Sequence, residues 1–344
     1  MLMFTLADTV RQGQAETLKQ LGFGPVERSH RIVGSGARWR LRNYSGSVPG
    51  PPLLIVAAPI KRPYIWDLAP SASAVRYCLR QHLGTYLLEW TPPSSGDGGA
   101  GLEEYANRAI KEAIDKISNE TGGTKPFLMG HSLGGTIAAI FAALHPNSAR
   151  GLILLSAPLV FQPGTSQFRD ALVSVVPSTL TEWDVVPGSL LSQISAMASP
   201  RTFVWSRLAD AASSLLDSRA LEIHTRVERW ALDEVALPGR LVYEMLQWLY
   251  REDRFFRAAL RIGHRTVGPS HLTLPTLAVA NTSDEIAPPA SIAPFMDAMP
   301  GVDVRLIEYS GEVGVGFQHL AILVGRRAYT AVWPEIMSWL KARR

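Results

Sequence analysis

Apolar positions along this chain fall into two alternating rhythms. Leu53-Leu54-Ile55-Val56-Ala57 is an unbroken apolar run, the pattern of a strand covered on both faces. Thr85-Tyr86-Leu87-Leu88, Phe127-Leu128-Met129 and Gly151-Leu152-Ile153-Leu154-Leu155 repeat it. Between them lie helix-period segments. Residues 73–82 are one, and 101–118 another, with Leu102, Tyr105, Ala109, Ala113 and Ile117 on one side. A third carries Ile137, Ile140, Phe141 and Leu144 at i, i+3, i+4 and i+7. Strand, helix, strand at this spacing predicts an α/β architecture, a mostly parallel sheet wrapped by helices. Upstream, residues 5–21 predict an amphipathic helix. Residues 26–45 predict a β-hairpin turning near Gly34-Ser35-Gly36, and Pro49-Gly50-Pro51-Pro52 then breaks the chain.

The rhythm stops after residue 160. From about 160 to 270 the sequence reads as helices and loops without a convincing strand, and it is rich in Trp, Phe and Leu. Strands resume at 274–279 and 304–307. A last helix, 333–342, opens with Pro334 and turns Trp333, Ile336, Met337 and Leu340 inward. Three segments are therefore expected: a first core part (1–159), a helical cap (160–270) and a second core part (271–344).

Composition narrows the class. With 47% hydrophobic and 19% charged residues among 344, the chain is globular rather than disordered. A net charge of +4 does not demand a polyanion. The densest basic stretch, Arg28 to Arg42, alternates as a solvated hairpin face does, so no nucleic-acid partner is expected. The single cysteine, Cys78, precludes an intramolecular disulfide and reads as a packed thiol. The N-terminus lacks signal-peptide features, and no apolar run reaches membrane-spanning length. A soluble, cytoplasmic protein is the expectation.

Candidate chemistry centres on Gly130-His131-Ser132-Leu133-Gly134-Gly135, between a predicted strand and a predicted helix. G-x-S-x-G at a strand-to-helix turn is the nucleophile elbow of α/β-hydrolases. Glycines flank the serine because backbones nearly touch there. Ser132 is the candidate nucleophile, and the Leu133 N–H at the helix start is a candidate oxyanion donor. A serine hydroxyl needs a base, and hydrolase order is Ser, then Asp or Glu, then His. Of eight histidines, only His319 follows the later strands, in Val315-Gly316-Phe317-Gln318-His319-Leu320. His131 reads as structural. The orienting acid should end the preceding strand, which leaves Asp284 or its neighbour Glu285. A second oxyanion N–H should come from the loop after the first central strand. Pro59 has none, so Ile60 is the candidate, with Ala58 behind it. Lys61 and Arg62 are either solvated or contacts for an anionic part of a substrate. No metal cluster or dinucleotide fingerprint occurs, and the chemistry requires no cofactor.

Several separated stretches resemble the catalytic domain of polyhydroxyalkanoate synthases, over roughly residues 50–325. They are Pro52-Leu53-Leu54-Ile55-Val56, Tyr64-Ile65-Trp66-Asp67-Leu68-Ala69-Pro70, Ser73-Ala74-Val75-Arg76-Tyr77 and Trp90. Within the cap they continue as Arg229-Trp230, Asp233, Leu237-Pro238-Gly239, Tyr243 and Leu249. Asp284-Glu285-Ile286-Ala287-Pro288 resembles the family's acid segment with aspartate first, which favours Asp284. His319 stands at its Gly-His segment, with Phe317-Gln318 replacing small residues. The resemblance implies an α/β-hydrolase fold and a homodimer. Two features depart from it: the family's nucleophile is cysteine and here is Ser132, and the long N-terminal domain of many synthases is missing.

An oxygen-ester acyl-enzyme is less activated than a thioester, and Ser-based triads commonly end with water as acceptor. The leading expectation is therefore a serine esterase acting on small-molecule or oligomeric esters, 3-hydroxyalkanoates among them. An acyltransferase using 3-hydroxyacyl-coenzyme A is the alternative. A third reading is a silent hydrolase fold binding polyester granules or a protein through Phe203, Trp205, Trp248, Phe255 and Phe256. Those side chains are otherwise core and pocket lining.

Overall fold

The computed structural model describes residues 2–46, 50–94, 96–176, 184–215, 217–301, 303–312 and 317–343. Pro49 and the Val315-Gly316 pair before His319 lie outside the described residues. In chain order the elements that frame the site are α1 (Leu2–Leu18), β1 (Arg31–Ser35), β2 (Trp39–Asn43), β3 (Pro52–Val56), α2 (Ala74–Arg80), β4 (Gly84–Trp90) and α3 (Ala109–Glu120). They continue with β5 (Phe127–His131), α4 (Leu133–Leu144) and β6 (Leu152–Leu155). The segment expected to form the cap holds α5 (Gln167–Val175), α6 (Gly188–Ala198), α7 (Ser206–Ser214), α8 (Ser218–Leu232) and α9 (Gly239–Glu244). The core resumes with β7 (Thr276–Asn281), α10 (Ala293–Asp297), β8 (Val304–Tyr309), α11 (Ala321–Val324) and α12 (Trp333–Lys341).

The eight strands form one sheet in the order β1-β2-β4-β3-β5-β6-β7-β8. The β1–β2 and β2–β4 pairs are antiparallel, and every later pair is parallel. Alternate residues of β3 serve opposite layers, as a two-period strand requires. Leu54 and Val56 join the core under α3 and α4, while Leu53 and Ile55 join the one under α2, α11 and α12. All twelve residues of α4 are buried, which explains a helix apolar on every side.

Four expectations need correction. The hairpin turns at 36–38, because Gly34 and Ser35 still pair with Leu41 and Arg40. The basic stretch is not wholly solvated: Arg42 is buried in ion pairs with Glu27 and Glu89, so its positive charge is matched across strands. The segment from 160 to 270 does contain strands, in two short ribbons. Val185–Val186 pairs with Leu237–Pro238, and Leu260–Ile262 pairs with Arg265–Val267. Runs of two or three residues are too short to show a period. Trp205 is 66% exposed and is neither core nor pocket lining, whereas Phe255 is fully buried.

The N-terminal helix makes its contacts with the cap. Asp8 accepts from the Ser189 N–H at the start of α6 (2.8 Å). Arg11 reaches the Ala231 carbonyl and Glu234 at the end of α8. No helix among the described residues is long and apolar enough to cross a membrane.

Candidate active site

β5 ends in the sharp turn expected of the elbow. Ser132 has φ 54° and ψ −137°, a conformation costly for a side-chain-bearing residue, and its side chain caps none of the α4 N–H groups. The turn is possible because its neighbours lack Cβ atoms. A Cβ at Gly130 would strike the Gly134–Gly135 backbone, and one at Gly134 would strike the Val56 carbonyl and the Ala57–Ala58 peptide. The Ser132 turn therefore rests directly on the loop that follows β3.

That loop is fastened on two sides. The Trp90 indole N–H donates to the Ala57 carbonyl (2.6 Å), and the Val235 N–H reaches the Ile60 carbonyl (3.4 Å). Lys61 and Arg62 are ion-paired rather than freely solvated, and both line the cavity that Ser132 also lines. Lys61 Nζ lies 3.2 Å from Glu234 and 2.6 Å from the Ala231 carbonyl at the end of α8, where a cation also meets the negative end of the helix. Arg62 faces Asp233 at 3.5 Å, and its carbonyl accepts from the Trp230 indole at 2.8 Å. The pairs Lys61-Arg62 and Asp233-Glu234 thus bolt the loop carrying Ile60 to the cap. Two adjacent cations and two adjacent carboxylates were the only sequence signal for this, and nothing local links residues so far apart.

Asp284 and His319 come together. His319 Nδ1 donates to Asp284 Oδ2 at 2.7 Å, and Asp284 Oδ1 accepts from the Ile286 and Ala287 N–H groups at 2.8 and 3.1 Å. Burial pushes the Asp284 carboxyl up, but the neighbouring His319 charge, its hydrogen bond and the two backbone donors outweigh burial, and the net shift is downward. The pair is buried. With Nδ1 committed, Nε2 is left as the basic nitrogen. It is buried and has no hydrogen-bond partner among the described residues, so a bond from Ser132 is not formed in this state. Such bonds commonly tighten only around substrate. Ser132, Leu133, Ile60 and His319 all line one cavity of about 320 Å³ beneath the cap, and Ala58 lines it too.

His131 is structural in the way its neighbours dictate. Its Nε2 donates to the His319 carbonyl at 2.8 Å, which fixes the Nε2–H tautomer, and the two rings lie 4.7 Å apart. Asn281 Nδ2 donates to the preceding carbonyl, that of Gln318, at 2.9 Å. Two side chains at the ends of β5 and β7 therefore hold the backbone of the histidine turn. Burial, then the charge on His319, holds the His131 imidazole down at about 3 from an ordinary 6.5. Between those values the unfolded chain binds a proton that the folded chain excludes, so stability falls as the solution is acidified. The loss should reach about 2 kcal/mol at about pH 5. We expect urea midpoints to decline from neutral pH to about pH 5 in the wild type, and His131→Asn to flatten that slope. Parallel slopes would show that His131 is not kept neutral.

Cys78 is fully buried, and burial pushes its thiol up to about 12, so it is an inert packed side chain. No group of His, Cys, Asp and Glu suited to a metal ion occurs among the described residues.

Comparison with known proteins agrees with this fold. Residues 74–314 match the α/β-hydrolase fold family, and the chain belongs to it. Its relatives include the poly(3-hydroxyalkanoate) polymerase subunits PhaC. That of Haloferax mediterranei is 28% identical over 96% of this chain and 67% of its own length, and that of Synechocystis is 28% identical over 97% and 88%. Among solved structures, a carboxylesterase of Bacillus subtilis superimposes over 97% of this chain and 98% of its own, with a TM-score of 0.54 at 14% identity, a likeness of fold.

Proposed function

We propose that this protein is a serine esterase that cleaves carboxylic esters, among them 3-hydroxyalkanoate esters or oligomers. The observation that carries the reading is the buried Asp284–His319 pair, whose Nε2 has no hydrogen-bond partner among the described residues and whose histidine lines the same cavity as Ser132. In the proposed reaction His319 Nε2 takes the Ser132 proton as Oγ attacks the ester carbonyl. The N–H groups of Leu133 and Ile60 hold the resulting oxyanion. Collapse breaks the bond to the leaving alcohol, which takes its proton from His319. Water, deprotonated by His319, then attacks the acyl-enzyme and returns Ser132.

The 3-hydroxyalkanoate assignment takes its support from the polymerase relatives, which this chain parallels over nearly its full length. The same observation favours a second reading, transfer of a 3-hydroxyacyl group from coenzyme A to an alcohol. The acceptor distinguishes the two, since both share the first half-reaction. The serine itself is tested by treating the folded protein with a fluorophosphonate and mapping the adduct by mass spectrometry. Modification of Ser132 in the wild type, with none in His319→Ala over the same interval, is expected. An unmodified Ser132 would refute the assignment.

A further inference from the structure

Glu285, the rejected neighbour of the acid, turns away from His319 and into the cap. Its Oε2 accepts from the hydroxyls of Ser199 (3.2 Å) and Thr202, and its Oε1 lies 3.2 Å from Arg201 Nε. Ser199 and Thr202 are both buried, and the Thr202 N–H closes the turn on Ser199 Oγ at 3.3 Å. The Glu285 and Ile286 carbonyls accept from the Ser166 hydroxyl at 2.8 and 3.2 Å, and Ser166 caps the start of α5. Three consecutive residues thus orient the base and tether two points of the cap.

What the tether holds in place is Phe203. Its ring packs 5.9 Å from Phe168 of the cap and 5.3 Å from Phe317, which lies 6.3 Å from the His319 ring. All four side chains line the cavity. Phe203 therefore forms part of the cavity wall beside the base, and its position depends on the turn fastened to Glu285.

Resting on the esterase reading, we propose that Glu285 is a positioning residue that clamps the 199–205 turn over His319 and so limits the length of acyl chain the cavity accepts. Arg201 is 84% exposed at its side chain, so its ion pair adds little. The partly buried hydroxyl-to-carboxylate bonds are the strong part of the clamp.

The test uses the full-length protein with Glu285→Ala, Glu285→Gln and Thr202→Val. The last opens the clamp from the cap side and leaves residue 285 beside Asp284 untouched. Two readouts are taken: kcat and KM for p-nitrophenyl butyrate and octanoate, and hydrogen exchange of residues 199–205. A methylene in an apolar pocket is worth about tenfold in selectivity, so Glu285→Ala and Thr202→Val should raise the octanoate-to-butyrate ratio of kcat/KM by about tenfold. The 199–205 amides should exchange faster in both. Glu285→Gln, which keeps an acceptor, should fall between wild type and Glu285→Ala. Equal losses on both esters, or faster exchange with an unchanged ratio, would overturn the proposal. If the wild type cleaves neither ester, the esterase reading fails by itself. Exchange then decides the clamp: unchanged exchange in both clamp variants overturns it, and faster exchange upholds it.

Discussion

Ser132→Ala should reduce ester turnover about a million-fold, to the level left by binding and oxyanion stabilisation. Two other serines line the cavity, but Ser192 accepts from Lys61 and Ser195 donates to the Leu191 carbonyl. Cys78 is buried and held protonated. Ser156, the other serine at a strand end with positive φ, is buried and does not line the cavity. The change removes one oxygen from a strained but glycine-flanked turn, so folding should be intact by circular dichroism and thermal melting. A variant that melts like the wild type and still turns over would remove Ser132 from the mechanism.

Asp284→Asn is the second large effect, expected to cost about ten thousand-fold in kcat by analogy with serine proteases. The carboxylate accepts from three donors: His319 Nδ1 and the N–H groups of Ile286 and Ala287. An amide can keep the backbone bonds through its oxygen, but its NH2 then faces Nδ1. The imidazole must move its proton to Nε2, and the base is lost. Glu285→Gln, one residue away, leaves the Asp284–His319 bond in place and should not approach this loss. Steady-state kinetics on the two variants separates the acid from its neighbour, and equal effects would contradict the assignment.

The parts legible in sequence were those set by local pattern. Unbroken apolar runs marked the inner strands, because burial on both faces removes alternation. The glycines around Ser132 marked the elbow, because close backbone approach admits nothing else. The order Ser132, Asp284, His319 followed from the fold those patterns implied. Choosing Asp284 over Glu285 took a family resemblance, since adjacent carboxylates differ only in where the chain turns them. What stayed hidden depends on tertiary pairing. Lys61 meets Glu234 and Arg42 meets Glu89 across long stretches of chain, and a charged side chain reads as solvated until its partner is placed. Similarly, α1 packs on the cap through Asp8 and Arg11, two ordinary polar positions of an amphipathic helix. Trp205 shows the converse, since an aromatic in an apolar segment can face outward.

The acceptor of the acyl group is the central question, because serine chemistry and polymerase relatives pull in different directions. The most direct measurement is mass spectrometry of products from a mixture of short 3-hydroxybutyrate oligomer and 3-hydroxybutyryl-coenzyme A, with wild type or Ser132→Ala. The esterase account predicts shortened oligomers made only by the wild type. Lengthened oligomers with released coenzyme A would contradict it and make the protein a serine-dependent acyltransferase.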